Sequence, residues 1–275
     1  MLLYKYYSPE SYSYIFTPKG ISVRFSQPSV LNDIFEANGT LDLESDETLL
    51  GFMKAQINDD ERFNNFKTPY LSFEAAFRKI IREDIKKDYL KEAQKENDSS
   101  VGILSLSENK NSRTMWSYYA NSHKGFMVEF DFNLDESYFD FRYFSEKVTY
   151  TEERPLSIRE HLTRYGKLPK DHEAFKFMSS LWSTKDKDWE KEQEFRVMAN
   201  ISDIKTTKVD EDGHPIHSTL APSEIVKAIY LGARSSEALE RKVTSWIKTT
   251  APNVELYKAK ACQTTYKMLY DKVKI

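Results

Sequence analysis

Short segments rich in β-branched and aromatic residues recur along the whole chain, and they restrict its fold more than any other feature. Such segments lie at residues 2–7, 21–26, 101–107, 126–132, 146–150, 228–232 and 254–259. Runs of this length, bounded by turn residues, are typical of strands that pair into a sheet. Stretches with helical spacing separate some of them, for example at residues 234–248. This order predicts a protein of the α+β class.

The composition excludes several classes of function. The 275 residues carry a net charge of −3, so no overall electrostatic attraction draws the chain to nucleic acid. Cys262 is the only cysteine, which excludes a disulfide framework and favours the cytoplasm. No run of 18 apolar residues is present, so we expect no membrane-spanning helix. The eight glycines form no phosphate-binding loop, which argues against Rossmann and P-loop enzymes.

Charged helical patterns dominate two regions between the predicted strands. Residues 46–96 combine apolar positions at helical spacing with a basic face that includes Arg78, Arg82 and Lys86. That face is either exposed to solvent or a binding surface for a polyanion. Residues 155–183 also show a helical pattern. We therefore predict a helical insert at about residues 40–96.

Two glutamates in the segment 189–197 give the clearest indication of chemistry. Glu192 and Glu194 lie two residues apart at the start of a predicted strand, and a period of two would place both side chains on one face. Because adjacent carboxylates repel, one is held protonated or both face a cationic or hydroxyl-rich ligand. The alternative is that a charged helix over 184–192 runs into the strand and that both carboxylates are solvated.

The segment 114–125 contains several aromatic candidates for binding. We predict a short helix that Gly125 ends as its C′ residue. Trp116, Tyr119 and His123 would then share one face of this helix. Upstream, the side chains of Asn32 and Asp33 can bond their own backbone and hold a loop in place.

The histidines do not have the spacing of a metal site. None of the five forms an HExxH or HxxxH pattern. His214 and His217 are separated by Pro215, which breaks a helix between them, so we expect no metal. Residues 210–215 instead predict the tip of a hairpin.

The order of several motifs resembles the bacterial domain-of-unknown-function 2971 family over nearly the whole chain. The motifs are Tyr4–Tyr6, Val23–Pro28 with Asn32–Asp33 and Phe35–Glu36, Met115–Ala120 with His123–Gly125, Lys187–Trp189 with Glu192–Arg196, and Ile225–Gly232. Ile34 stands where that family usually has proline. The family's name implies no particular chemistry.

A second resemblance is to ADP-ribosyltransferase folds. Those enzymes place a polar residue on a first strand, a serine or threonine on a second, an aromatic residue on a helix, and a glutamate at the start of a late strand. This chain offers Lys5 or Tyr6, then Ser26, Tyr119 and Glu194. Its Glu192-Gln193-Glu194 is similar to the Glu-x-Glu of one branch. The first strand lacks the usual histidine or arginine.

This second resemblance implies NAD as a substrate, without a metal. Cleavage of NAD passes through an oxocarbenium-like state, which a carboxylate stabilises while another accepts the acceptor's proton. The implied catalytic residues are Glu194, Glu192 and Tyr119. The implied NAD-binding residues are Lys5, Tyr6, Arg24, Ser26, Asn32, Asp33, Trp116, His123 and Arg196.

Together these observations predict a single α+β domain, residues 1–275, with a bent or split mixed β-sheet, flanking helices and the helical insert. The leading functional hypothesis is an NAD-dependent ADP-ribosyltransferase, a toxin or anti-phage effector that modifies a macromolecule such as RNA or DNA and is opposed by an antitoxin protein. A nuclease that uses Lys5, Arg24, His123, Arg196 and the basic face of the insert is one alternative. A non-catalytic binding module is another.

Overall fold

The computed structural model describes residues 1–37, 94–95, 97–133, 138–153 and 179–275. They divide into two compact units. The first, which we call the sheet unit, comprises residues 1–30, 100–148 and 188–275, and the second comprises 31–99 and 149–187. Most of the predicted insert at 40–96, and most of the helical pattern at 155–183, lies outside the described residues.

Fourteen strands occur in the described part of the chain. They are β1 (Leu2–Tyr7), β2 (Phe16–Thr17), β3 (Gly20–Phe25), β4 (Val101–Ser107), β5 (Phe126–Asp131), β6 (Tyr143–Lys147), β7 (Thr149–Thr151), β8 (Thr184–Asp186), β9 (Glu194–Asn200), β10 (Thr206–Val209), β11 (Pro215–Leu220), β12 (Val226–Leu231), β13 (Glu255–Ala261) and β14 (Met268–Lys272). The α-helices that lie wholly within the described residues are α1 (Tyr12–Ile15), α2 (Arg113–Tyr118) and α3 (Glu237–Thr250).

An eight-stranded mixed sheet forms the centre of the sheet unit, with the order β14-β13-β12-β5-β1-β4-β9-β6. Its strand pairs are antiparallel except β12 and β13, which are parallel because α3 connects them. A four-stranded sheet has the order β10-β11-β3-β2. The α+β class and the mixed sheet predicted from the strand patterns are therefore confirmed.

Alternation along the central strands gives the large sheet two buried faces. One face carries residues such as Leu3 and Val128, against which the apolar stripe of α3, including Val243, packs. The other face is more aromatic, with Tyr4, Tyr230 and the fully buried Trp116 of α2. A strand buried on both faces explains why β1 and β5 are almost uninterrupted apolar or aromatic runs.

The edge of β4 that faces β1 is shared between two strands. At one end Ser107 pairs with Tyr4 of β1. At the other end Ile103 forms an isolated bridge with Ser26, just after β3. Since β1 and β3 diverge from the same edge, the sheet is split between them, as the predicted bent or split sheet requires.

The predicted helix over 114–125 is wrong in its second half. Helix α2 ends at Tyr118, and Asn121, Ser122 and His123 have left-handed backbone with φ of 47°, 54° and 67°. Gly125 does not supply the left-handed residue, because its φ is not positive. A Cβ at Gly125 would lie 1.9 Å from the carbonyl oxygen of Tyr7, so glycine is needed for the close approach of β1.

Gly232 has an equivalent role at the end of β12, and it provides a test of this packing. A Cβ there would lie 2.2 Å from the carbonyl oxygen of His123. We expect Gly232→Ala to lower the free energy of unfolding by about 2 kcal/mol or more, because backbone has to move. Urea unfolding monitored by circular dichroism measures the change.

Gly213→Ala is the matched control for that prediction. Gly213 lies in the β10–β11 turn with φ of 89°, and a Cβ at this position would have no atom within 4 Å. Only conformational strain of about 1 kcal/mol is therefore expected. Equal losses in the two variants would contradict the close approach at Gly232.

Candidate functional site

One residue of β4 connects the start of the chain to its late acidic pair. Ser107 pairs with Tyr4 of β1 on one side and with Glu194 of β9 on the other. Its hydroxyl also donates a hydrogen bond to the carbonyl oxygen of Glu192 at 2.5 Å. Ser107 therefore brings Glu192 and Glu194 to the first strand, which is almost 190 residues away in the chain.

The side chain of Lys5 bonds to β4 at the point between its pairings with β1 and β3. The backbone groups of residues 103, 105 and 107 all face the same edge of β4. Ile103 is paired with Ser26, just after β3, and Ser107 is paired with Tyr4 of β1. Lys5 Nζ donates to the carbonyl oxygen of Ser105, between them, at 2.8 Å. Burial lowers the pKa of Lys5 to about 8, while Glu194 acts to raise this pKa and Arg24 to lower it further.

Glu194 is held in a buried ion pair. Its two carboxylate oxygens accept hydrogen bonds from Arg196 Nε at 2.8 Å and from Arg196 Nη2 at 3.0 Å. The two residues are two apart on β9 and so share a face. The Arg196 side chain is completely buried, and Glu194 is 6% exposed. A two-point contact of this kind fixes the orientation of the carboxylate.

Glu192 is also buried, but in a different local structure. It ends the 3-10 helix Lys187–Glu192, and Gln193 has φ of 46°, so the two glutamates are not on one strand. The predicted period-two alignment is therefore wrong. The alternative of solvated carboxylates is wrong as well, since Glu192 is 2% exposed. Tyr119 donates its hydroxyl to Glu192 Oε1 at 2.6 Å.

Arg24 brings a second cation to the region from β3. Its Nη2 lies 3.4 Å from Asp210 Oδ2, and about a third of the side chain is exposed. Its Nε is buried and has no hydrogen-bond partner. Asp210 belongs to the β10–β11 hairpin, whose tip the sequence located correctly. Ser26 contributes the backbone bridge to β4 described above.

Three aromatic candidates are packed into the second face of the sheet. Tyr6 meets Trp116 edge to face at 5.2 Å, and the Trp116 ring is parallel to that of His123 at 6.0 Å. Trp116 is fully buried. Burial and the neighbouring Arg234 lower the pKa of His123. Tyr119, which lies one residue beyond the end of α2, packs against the cluster that contains Tyr6 and Trp116.

Asn32 and Asp33 belong to the second unit. The backbone contact predicted for this loop is present, because Asp33 Oδ1 accepts a hydrogen bond from the amide of Phe35 at 2.9 Å. A buried ion pair lies in the same unit, between Lys185 Nζ and Glu36 Oε1 at 2.8 Å. The motif around residues 32–36 thus has a structural explanation within its own unit.

Within the described residues, one group of donors has the spacing of a metal site. It comprises Asp210, Asp212 and His214, whose ligand atoms lie within 4.8 Å of one another. Arg24 and the amide of His214 already bond to the Asp210 carboxylate. The group lies in a turn that is largely exposed to solvent.

Comparison with known proteins gives a partial family match. A family model described as "Protein of unknown function (DUF2971)" matches residues 115–197. This range contains Tyr119, Glu192 and Glu194, and it supports the resemblance noted from the motifs. No curated protein and no solved structure gives a match. No helix among the described residues is long and apolar enough to cross a membrane.

Sequence reasoning missed the parts of the site that hold it together. Nothing in the sequence marks Ser105 and Ser107 as part of the site, because their role depends on which backbone groups of β4 are left unpaired by β1 and β3. The ion pair between Glu194 and Arg196 was open to prediction, since the two residues are two apart on a predicted strand.

The position of Lys5 makes stability depend on pH. Its pKa is about 8 in the folded protein, against an ordinary value of 10.5. Between these values the unfolded chain binds more protons, so the free energy of unfolding rises with pH. We expect Lys5 to contribute a rise of about 2 kcal/mol from pH 7.5 to pH 10.5, with allowance for its partial exposure.

Comparison with Lys5→Met isolates this effect from other titrating groups. The difference in unfolding free energy between wild type and variant, measured in urea at several pH values, should increase in favour of wild type from pH 7.5 to 10.5. A difference that is independent of pH would show that Lys5 is solvated rather than held in the split.

Proposed function

We propose that this protein is an NAD-dependent ADP-ribosyltransferase that modifies a macromolecule. The observation that carries the proposal is Ser107, whose backbone pairs with Tyr4 of the first strand and with Glu194, and whose hydroxyl bonds to the carbonyl oxygen of Glu192. The resemblance to those enzymes implies a pair of glutamates near the first strand, although here the two glutamates are not on one strand. Two oriented carboxylates suit the cleavage of a glycosidic bond whose transition state is positively charged.

The two glutamates would have different roles. Arg196 fixes the orientation of the Glu194 carboxylate, which would face the ribose of NAD. That arrangement would stabilise the oxocarbenium-like state. Glu192 would accept the proton of the attacking group, with Tyr119 orienting its carboxylate. Arg24, which is a third exposed, would meet the pyrophosphate.

The nucleic-acid acceptor and the role as a toxin or anti-phage effector belong to the same proposal. The net charge of −3 gives no general attraction to a polyanion, so RNA or DNA would need a local contact. An antitoxin would be the partner that a cell requires if NAD consumption is harmful. Incubation of the protein with labelled NAD and separate pools of protein, RNA and DNA identifies the acceptor by the pool that becomes labelled.

Substitution of each glutamate tests the catalytic roles. We expect Glu192→Gln and Glu194→Gln each to reduce nicotinamide release from NAD by about 100-fold or more, because the charge that meets the cation or the proton is lost. Glu190→Gln is the control, since Glu190 is exposed two residues before Glu192. Release at the wild-type rate in both site variants would refute the assignment.

A non-catalytic binding module is the second candidate, and the buried ion pair favours it. If Glu194 serves only the fold, Glu194→Gln removes a carboxylate that is paired with the buried Arg196, at a cost of about 3 kcal/mol or more. Glu192→Gln separates the two candidates, because the glutamine oxygen still accepts from Tyr119 and the fold should survive. A folded Glu192→Gln protein without NAD turnover supports the enzyme, and a wild type without turnover supports the binding module.

A further inference from the structure

Away from the acidic pair, the three tyrosines Tyr230, Tyr257 and Tyr270 form an aromatic corner on the sheet unit. The rings of Tyr230 and Tyr270 meet at 76° with centroids 5.0 Å apart. Tyr257 stacks on Tyr230 at 4.9 Å and extends one wall. Lys110 Nζ lies 5.1 Å from the centroid of Tyr230 and 5.6 Å from that of Tyr270. The negative face of each ring attracts a cation at this range.

A buried carboxylate strengthens the preference of the aromatic corner for positive charge. Glu129 is 8% exposed, and it accepts the Tyr230 hydroxyl at 2.8 Å and a hydrogen bond from Tyr4. Within the described residues no basic side chain forms a salt bridge with it. Burial, followed by the effect of Glu129, raises the pKa of Tyr4 to about 12. A cation near this charge reduces the cost of its burial.

Lys110 fits the corner imperfectly. An ammonium group has three N–H donors, yet Lys110 Nζ has no hydrogen-bond acceptor among the described residues. Its backbone is held independently, since Tyr270 donates to the Lys110 carbonyl at 2.7 Å and Tyr6 to that of Asn109 at 2.6 Å. The side chain can therefore leave without disturbing the loop. A trimethylammonium group has no N–H to satisfy and suits ring faces better.

We propose that the aromatic corner of Tyr230, Tyr257 and Tyr270 binds a trimethylammonium group, and that Lys110 is the internal competitor that such a ligand displaces. The rings supply the walls, and Glu129 supplies the compensating charge behind them.

Titration of the full-length protein with tetramethylammonium chloride at constant ionic strength tests this site. NMR signals of the tyrosine rings report binding. We expect saturable shifts in wild type, and about threefold tighter binding by Lys110→Ala, because the internal competitor is removed. Tyr270→Leu in the Lys110→Ala background should lose the binding, because one wall is removed.

Two matched variants separate the corner from general effects. Lys242→Ala removes an ammonium that lies over the single ring of Tyr12 at 5.7 Å, and it should bind as wild type does. Tyr270→Phe in the Lys110→Ala background keeps the ring without its hydroxyl, and it should retain the site. Thermal unfolding of each variant establishes that it is folded.

The proposal is overturned if Lys110→Ala binds no more tightly than wild type. It is also overturned if potassium chloride produces the same ring shifts, since simple attraction to Glu129 would then account for them. Choline and a peptide that contains trimethyllysine distinguish a small molecule from a modified protein as the source of the group. The peptide with unmodified lysine is expected to bind more weakly than its trimethylated form.

Discussion

The centre of this protein depends on one constraint, which is that the backbone groups on both edges of strand β4 need hydrogen-bond partners. Strand β4 has to satisfy its backbone groups on both sides, because it is buried. Strand β9 covers one side completely, whereas β1 and β3 each cover only one end of the other. The remaining carbonyl, that of Ser105, is satisfied by a charged side chain. A lysine in the middle of an apolar strand is thereby explained.

The same arrangement places charge where an apolar core would otherwise continue. Lys5 brings a cation into the split, and the ion pair of Glu194 with Arg196 lies on the next strand but one. Burying charges of both signs close together is tolerated only with good geometry, which the two-point contact provides. Specificity rather than stability is therefore the natural gain from this cluster. A buried charge cluster of this kind suits a functional site, and it also suits a structural role in which the charges fix the register of the strands.

The two faces of the large sheet differ in chemistry. One is an aliphatic and phenylalanine core under α3. The other is a tyrosine-rich layer in which hydroxyls bond to Glu129, Glu192 and backbone carbonyls. Tyrosine allows apolar area and polar contacts to be buried together. Both the acidic pair with Tyr119 and the aromatic corner draw on this second layer, so the part of the core that is least apolar carries the candidate chemistry.

Local patterns in the sequence determined most strands of the large sheet, the class of fold and the β10–β11 turn, because alternation and turn residues act over a few neighbours. They did not reveal short strands such as β2 and β8. The resemblance to ADP-ribosyltransferases named Glu192, Glu194 and Tyr119 together, and the structure shows the contact between Tyr119 and Glu192. The tertiary structure alone decided that Gln193 separates the glutamates, that α2 ends at Tyr118, and that Lys5 fills a split edge. These outcomes depend on which backbone groups distant strands leave unpaired and how closely strands approach. No local pattern encodes that information, since it arises only when the segments meet.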